Sequence, residues 1–123
     1  YQYFLGSCEE DEIAVSVACP ITAFNHDRSE IIIYGGAVSL SKEFVYHEKY
    51  GNIYGYVSRR KGFKKNHFLK DTYIKTLSQE HGIIQSNQEI ISRLKIGDIL
   101  HVIPVHSCLT VDCFLNKGDL YII

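Results

Sequence analysis

Two side chains that bind metals well, the imidazole of His106 and the thiol of Cys108, lie two residues apart in the segment 104–112. This segment follows the most hydrophobic stretch of the sequence, residues 99–105. If the backbone stays extended there, residues i and i+2 project to the same side, and both side chains can contact one ion. A thiolate combined with an imidazole favours zinc over Mg²⁺ or Mn²⁺.

A pair of protein ligands differs from the four ligands of a structural zinc site. Two ligands leave positions for water or substrate, which is typical of a reactive metal. The spacing alone is a weak signal, and the alternative is a buried cysteine beside a hydrogen-bonded core histidine. Cys113 is a possible third ligand, whereas Cys8 and Cys19 fit better as small core residues. Four cysteines in 123 residues are too few for a disulfide scaffold, so free thiols or metal ligands are expected.

A second group of reactive side chains lies in residues 78–82, where Glu80 adjoins His81. Neighbours on a strand point to opposite faces, so the two are not expected to act as a pair. The expected arrangement is one exposed side chain and one hydrogen-bonded inside. Tyr34, which precedes two glycines, is a candidate general acid or base. With nine tyrosines in the chain, core packing is its expected role.

Motifs and charge exclude several classes of function. The sequence contains no P-loop and none of the patterns G-x-S-x-G, G-x-G-x-x-G, C-x-x-C or H-E-x-x-H. Its net charge of −1 provides no general attraction for nucleic acid or anionic lipid, and no apolar run approaches the roughly 20 residues that span a bilayer. We therefore expect no nucleic-acid or membrane partner, and a cytoplasmic location. Six of the thirteen Lys and Arg residues fall within residues 59–70, where a solvated loop is expected.

The elements that must position these residues are mostly strands, because β-branched and aromatic runs recur along the chain. The predicted strands are residues 13–24 interrupted or bent at Pro20, 30–34 buried on both faces, 50–57 as one curved strand, 72–77, 99–105 and, after a turn at 116–119, 120–123. Residues 37–44 fit a strand or a loop. Ser86 opens an S-x-x-E capping box, which predicts one short helix around residues 90–94. Gly35 and Gly36 indicate a bulge or a close backbone approach.

This pattern predicts an all-β fold. About seven to eight short strands with one short helix and no βαβ alternation indicate a distorted β-barrel or sandwich. We expect a single domain over residues 1–123. Tyr1 begins an aromatic, strand-like run without an initiator Met, and Ile122 and Ile123 end the sequence in apolar residues. We therefore expect a domain excised from a larger chain.

Four segments carry a resemblance to a known family. They are I-Y-G-G-A-V-S-L-S-K at residues 33–42, L-S-Q-E-H-G at 77–82, K-I-G-D at 95–98 and I-P-V-H-S-C-L-T-V-D at 103–112. In this order they resemble the C-terminal domain of D-serine dehydratase-like and D-threonine aldolase-like enzymes, which belong to the alanine racemase fold group. The resemblance covers residues 34–112.

The resemblance implies part of a pyridoxal-phosphate enzyme. In that family an N-terminal (β/α)₈ barrel, absent here, carries the lysine bound to the cofactor, and the C-terminal β-domain completes the active site and the homodimer. The family's metal pair is His-x-Cys in the dehydratases and His-x-Asp in the aldolases. Both patterns map onto residues 106–108, so His106 and Cys108 resemble the zinc ligands of a dehydratase. One departure is Val105, where the family often has Asn after the proline, and it puts the polarity around the ligands in doubt.

The implied reaction is a zinc-assisted β-elimination from a D-β-hydroxy amino acid such as D-serine. The cofactor acts as an electron sink, and the metal acts as a Lewis acid on the β-hydroxyl. The lysine and the α-proton base would lie mostly in the absent barrel, so the fragment alone is expected to be inactive. Two alternatives are a metal-independent amino-acid racemase, whose C-terminal domain provides a tyrosine base to the partner subunit, and a non-catalytic dimerisation domain with His106 and Cys108 buried.

Overall fold

The computed structural model describes residues 1–59 and 67–115. These residues form eight strands, three α-helices and one short 3₁₀ turn, Glu10–Glu12. The strands are β1 (Val17–Asn25), β2 (Glu30–Tyr34), β3 (Val45–His47), β4 (Gly51–Ile53), β5 (Gly55–Ser58), β6 (Phe68–Leu77), β7 (His81–Gln85) and β8 (Ile99–Pro104). The helices are α1 (Ala37–Leu40), α2 (Gln88–Ile91) and α3 (Ser107–Leu115).

Six strands close into a barrel in the order β1-β2-β7-β6-β5-β8, and β3 and β4 form a separate hairpin. Each barrel strand pairs antiparallel with its neighbours. Closure leaves no open sheet edge among these six strands. The predicted all-β fold is confirmed, and the barrel is the correct one of the two expected architectures.

The interior of the barrel is filled by aliphatic side chains, as the β-branched runs predict. Ile31 and Ile33 of β2 are fully buried, whereas Ile32 between them is half-buried. The expectation that β2 is buried on both faces is therefore wrong, because only alternate residues face the core. Five core residues from other barrel strands are Ile21, Ile74, Ile84, Leu100 and Val102.

The first strand differs from its prediction at both its start and its bend. β1 begins at Val17, and it continues through Pro20, which pairs with Ile99 at the start of β8. The irregularity in its pairing with β2 lies between Ile21 and Ala23. A β-bulge beyond the proline therefore takes the place of the bend expected at Pro20.

The segment predicted as one curved strand, residues 50–57, is two strands that belong to different sheets. β4 pairs with β3 in the hairpin, and β5 pairs with β6 and β8 in the barrel. The break lies at Tyr54, and the next residue, Gly55, has a φ of +158°, a conformation that L side chains rarely adopt. A Cβ at Gly55 would lie 2.6 Å from the carbonyl oxygen of Ile103. The glycine thus permits close contact with β8 where the chain enters the barrel.

The described residues contain more helix than the single short helix expected. α1 lies in residues 37–44, where strand or loop was expected. The capping box predicted from Ser86 is wrong, because Asn87 caps α2 and accepts from the backbone N–H of Ile90 at 3.0 Å. Ser86 is buried, and its hydroxyl lies 3.0 Å from the hydroxyl of Thr72.

Residues 1–5 are a succession of turns and not the strand that their aromatic character predicts. The backbone N–H of Leu5 donates to the carbonyl oxygen of Tyr1 at 3.1 Å, and that of Gly6 donates to Tyr3 at 3.0 Å. The predicted turn at 116–119, the strand at 120–123 and most of the basic run in residues 59–70 lie outside the described residues. In residues 1–59 and 67–115 no helix has the length and apolar character to cross a membrane.

One end of the barrel collects the candidate functional residues. Tyr34, the last residue of β2, pairs with His81, the first residue of β7. Pro104, the last residue of β8, pairs with Gly55, the first residue of β5. Because neighbouring strands are antiparallel, the ends of β2 and β8 and the starts of β5 and β7 all lie at this same end. We call it the site end of the barrel.

Candidate functional site

His106 and Cys108 lie where β8 passes into α3. The backbone N–H of Thr110 donates to the carbonyl oxygen of His106 at 3.1 Å, which is the first hydrogen bond of the helix. His106 therefore occupies the capping position, and Cys108 lies in the first turn. The extended backbone expected at residues 106–108 is wrong, because the helix begins at Ser107.

Both candidate ligands nevertheless line one cavity of about 430 Å³. His106 and Cys108 are exposed, which contradicts the alternative of a buried cysteine beside a core histidine. Ile53, Tyr56 and Val105 are among the apolar and aromatic residues of the wall. An imidazole nitrogen and a thiol sulfur at the wall of an open cavity suit zinc, and they leave coordination positions for other ligands.

The other cysteines do not extend this pair to a larger ligand set. Cys8 lines the same cavity and is half-buried, so its assignment to the core is wrong, whereas Cys19 is buried in the core as predicted. Cys113 is half-buried further along α3. Within residues 1–59 and 67–115, no three His, Cys, Asp or Glu side chains lie close enough together to hold a metal ion. Among the described residues the candidate centre therefore has two protein ligands, His106 and Cys108, and Cys113 is not a third.

Val105 fixes the end of β8 directly before the candidate ligands. It is 8% exposed and packs with Val45 and Ile53 of the β3–β4 hairpin. An unpaired polar side chain would lose its hydration in these surroundings, so packing explains the valine at this position. The hairpin thus supports the strand end that leads into His106.

A second support for the site is the contact between α3 and α1. The hydroxyl of Thr110 donates to the carbonyl oxygen of Leu40 at 3.4 Å, and both residues are 1% exposed. Leu40 is the last residue of α1, where a helix leaves carbonyl groups without partners inside the helix. Thr110, in the first turns of α3, therefore provides a hydrogen-bond donor for a carbonyl group at the end of α1.

Tyr34 and His81 form a second pair at the site end of the barrel. They are register partners on β2 and β7, and their ring centroids are 5.8 Å apart in an edge-to-face arrangement. Tyr34 is 55% exposed, so the expectation that it packs in the core is wrong. Glu80 and His81 are both exposed, which contradicts the expectation that one of them lies inside.

The turn before β7 holds the backbone of His81 in place. The backbone N–H and the hydroxyl of Ser78 both donate to the carbonyl oxygen of His81, at 2.9 and 3.0 Å. The backbone N–H of His81 in turn donates to the hydroxyl of Ser78 at 3.1 Å. These bonds close the turn around residues 79 and 80 and leave the imidazole at the surface.

The close backbone approach predicted at the two glycines is confirmed. The backbone N–H of Gly35 donates to the carbonyl oxygen of Glu80 at 2.9 Å. A Cβ at Gly36 would lie 2.5 Å from the carbonyl oxygen of Gln79. Glycine is required here because the chain that leads into α1 runs directly against the turn that precedes His81.

The structure thus brings Tyr34 to His81 and brings His106 to the same cavity as Cys108. Both pairs lie at the site end of the barrel. Sequence reasoning missed Thr110, and the S-C-L-T pattern of residues 107–110 carried only a weak signal for it, since a threonine is uncommon in a buried helical position. It also missed the support from the β3–β4 hairpin, which depends on contacts distant in sequence.

Comparisons with known proteins agree with this architecture. Residues 14–116 match the family described as "Putative serine dehydratase domain". A D-serine dehydratase of Dictyostelium discoideum is 34% identical over 122 residues, which cover 92% of this chain and 28% of that enzyme. A D-serine dehydratase of Saccharomyces cerevisiae is 25% identical, with 92% of this chain and 26% of that enzyme covered. The chain therefore spans less than a third of the length of these relatives.

Solved structures share the fold at lower identity. An alanine racemase-like protein from Idiomarina loihiensis superposes with a TM-score of 0.78 at 24% identity, over 91% of this chain and 30% of that one. The D-threo-3-hydroxyaspartate dehydratase from Delftia sp. HT23 superposes with a TM-score of 0.77 at 23% identity, over 92% of this chain and 30% of that one. The family match covers well over half of the sequence, and on this ground the chain belongs to the serine dehydratase domain family.

Proposed function

We propose that this chain is the C-terminal β-domain of a pyridoxal-phosphate-dependent dehydratase that acts on a D-β-hydroxy amino acid such as D-serine. Its membership of the serine dehydratase domain family and its likeness to D-serine dehydratases support this assignment. The chain corresponds to 28% of the Dictyostelium relative, which leaves room for an N-terminal (β/α)₈ barrel with the cofactor lysine. The proposed partners are the D-amino acid, that barrel and a second subunit, in the cytoplasm, with neither nucleic acid nor membrane.

The observation that carries the proposal is that His106 and Cys108 line the same cavity. Two similar structures of D-threo-3-hydroxyaspartate dehydratase support zinc, or another metal, at this position. One is a cysteine-to-alanine mutant in a metal-free form, and the other is a mutant in which the histidine two positions earlier is alanine. This spacing equals that of His106 and Cys108, and the nitrogen and sulfur donors favour zinc.

The chain's own residues have two tasks in this proposal. His106 and Cys108 hold the metal at the cavity wall, and their backbone is fixed by the hairpin packing of Val105 and by the start of α3. Apolar wall residues such as Ile53 limit the access of water to this side of the cavity. When bound, pyridoxal phosphate supplies an electron sink and zinc supplies a Lewis acid for a β-hydroxyl.

Two substitutions in the complete protein test the ligand assignment. We expect His106→Ala and Cys108→Ala each to reduce bound zinc to a small fraction of the wild-type content and to lower D-serine dehydration by at least about 100-fold, because each removes one of the two proposed ligands. Zinc is measured by elemental analysis of the purified protein, and activity by release of pyruvate and ammonia.

Cys113→Ala is the matched control, because Cys113 lies on the same helix as Cys108 but is half-buried. It should keep both zinc and activity. If either His106→Ala or Cys108→Ala keeps wild-type zinc and wild-type activity, that residue is not a ligand. If the wild-type protein has zinc but turns over no D-β-hydroxy amino acid, the assigned reaction is wrong while the metal site stands.

A metal-independent amino-acid racemase is the second candidate. The exposure of Tyr34, at 55%, is the observation that favours it, because a phenol that donates to a substrate must reach solvent or a partner surface. Elemental analysis separates the two candidates. A wild-type protein that interconverts amino-acid enantiomers and contains no stoichiometric metal would replace the dehydratase with the racemase.

A further inference from the structure

We propose that Thr110 is a positioning residue for the candidate metal ligands, and that it acts by tying the start of α3 to α1. This inference rests on the proposed function, because it takes His106 and Cys108 as the ligand pair. Thr110 itself does not line the cavity with them; its place is between the two helices.

The burial of Thr110 is the first observation. It is the buried residue of α3, with 1% of its surface exposed, while His106, Ser107 and Cys108 are all exposed. A buried hydroxyl costs free energy unless it is hydrogen-bonded, and here it donates to the carbonyl oxygen of Leu40 at 3.4 Å. This distance is long for an O–H···O bond. The main effect of the bond is therefore that the buried hydroxyl of Thr110 and the buried carbonyl of Leu40 each have a partner.

The backbone of Thr110 makes the second connection. Its N–H donates to the carbonyl oxygen of His106 at 3.1 Å, which defines the first turn of the helix and includes Cys108. One residue therefore contacts the backbone of one candidate ligand directly and closes the turn that contains the other. The first turn of a helix frays most easily, so an anchor at this residue restricts the movement of both ligands.

The anchor is effective only if α1 is itself fixed, and the turn at residues 78–81 fixes it. The backbone N–H groups of Ala37 and Val38 donate to the carbonyl oxygens of Ser78 and Gln79 at 2.9 and 3.1 Å. Gly36, before α1, lies so close to that turn that even a Cβ would collide with it. A continuous set of contacts thus runs from the β6–β7 turn through α1 and Thr110 to His106.

Positioning matters more for a two-ligand centre than for a four-ligand one. With two protein donors, every increase in the movement of one donor lowers the metal affinity without compensation from other protein ligands. Loss of the Thr110 hydroxyl leaves the carbonyl oxygen of Leu40 buried and without this partner, which favours displacement of the two helices. The metal affinity should then fall although both ligands are present.

Thr110→Val and Thr110→Ser in the complete protein test the inference. Valine keeps the shape and removes the hydroxyl, whereas serine keeps the hydroxyl and removes a methyl group. We expect Thr110→Val to lower zinc affinity by about 10-fold and Thr110→Ser to remain within about 2-fold of wild type. Affinity is measured by competition with a chromogenic chelator, and Co²⁺ titration reports sulfur ligation through its charge-transfer absorption, independently of turnover.

The outcomes separate the inference from the proposed function. If Thr110→Val binds zinc as tightly as the wild type, the positioning role is overturned. An equal loss of affinity in Thr110→Val and Thr110→Ser also overturns it, because packing and not the hydroxyl would then be responsible. A wild-type protein without zinc affinity contradicts the proposed function and this inference together. If Thr110→Val fails to fold, amide hydrogen exchange in the metal-free wild-type protein tests the inference instead. Amides of residues 107–110 that exchange as fast as those of an unstructured peptide would contradict an anchored start of α3.

Discussion

The four free cysteines differ in how far they are buried. Cys19 is 1% exposed, and burial raises the pKa of its thiol from 9.0 to about 12. Cys108 is exposed at the start of α3, and both Cys8 and Cys113 are half-buried. The raised pKa of Cys19 favours the folded state below about pH 9, and this contribution is lost as the pH rises towards 12, since the unfolded thiol ionises first.

Selective alkylation tests this contrast. At pH 7.5 and without metal, we expect iodoacetamide to modify Cys108 at least about 100-fold faster than Cys19, because Cys19 is protonated and shielded in the core. Peptide mass spectrometry at a series of times measures both rates. In urea the two rates should become similar. Rapid modification of Cys19 in the folded protein would contradict its position in the barrel interior.

At the residue scale, sequence alone identified both candidate ligands but not their conformation. His106 and Cys108 stand out by type and spacing, and the extended backbone assumed for them was wrong because α3 begins at Ser107. Val111 and the two cysteines of this helix have no strong helix propensity, so the local signal is weak. Packing of Thr110 against α1, which is distant in sequence, decides the conformation.

At the scale of elements, β6 shows why alternation alone misplaces side chains. Strict alternation along residues 72–77 would place Tyr73 and Leu77 on one face with Lys75. In the structure Ile74 and Leu77 are buried and Lys75 is exposed. The register with β7 shifts between Ile74 and Thr76, so one extra residue changes the face from there on. Strand existence was predictable from β-branched runs, whereas bulges depend on the closure of the barrel.

Three neighbouring strands are joined by one buried carboxylate. Glu30 on β2 is 4% exposed; its side chain lies 3.0 Å from Lys75 on β6 and 3.1 Å from Arg28 before β2. Lys75 also donates to the side chain of Gln85 on β7 at 3.2 Å. Loss of the charge would remove the anion that Arg28 and Lys75 share, and it would loosen β2, β7 and β6 together.

Glu30→Gln should therefore lower the free energy of unfolding by about 1–2 kcal/mol, a value reduced from that of a fully buried pair because both cations are largely exposed. Glu89→Gln is the matched control, since Glu89 of α2 pairs at 2.8 Å with Arg93, which follows the helix, and both side chains are exposed. This substitution should change stability by less than about 0.5 kcal/mol. Urea unfolding followed by circular dichroism measures both. Equal effects of the two substitutions would show that burial of Glu30 contributes nothing.

At the scale of the whole molecule, the barrel gathers its reactive side chains at one end. The candidate pair His106 and Cys108, and the pair Tyr34 and His81, come from strand ends that are far apart in sequence. The sequence predicted an all-β fold but not this arrangement, because strand order depends on long-range pairing that no local pattern encodes. Closure of the barrel therefore places both pairs at the same end of the molecule.

A site that lies at one end of a barrel is open to a second domain, and the reaction should depend on that domain. We expect the 123-residue chain alone, supplied with pyridoxal phosphate and zinc, to release no pyruvate from D-serine above the rate of free cofactor and metal. The reason is that the proposed function places the cofactor lysine and the α-proton base in an N-terminal barrel outside these 123 residues. The complete protein is the positive control, and a mixture of the chain with the separately produced remainder tests whether the two parts reassemble. Turnover by the chain alone would contradict the division of the active site between two domains, because a residue of the β-domain would then have to remove the α-proton.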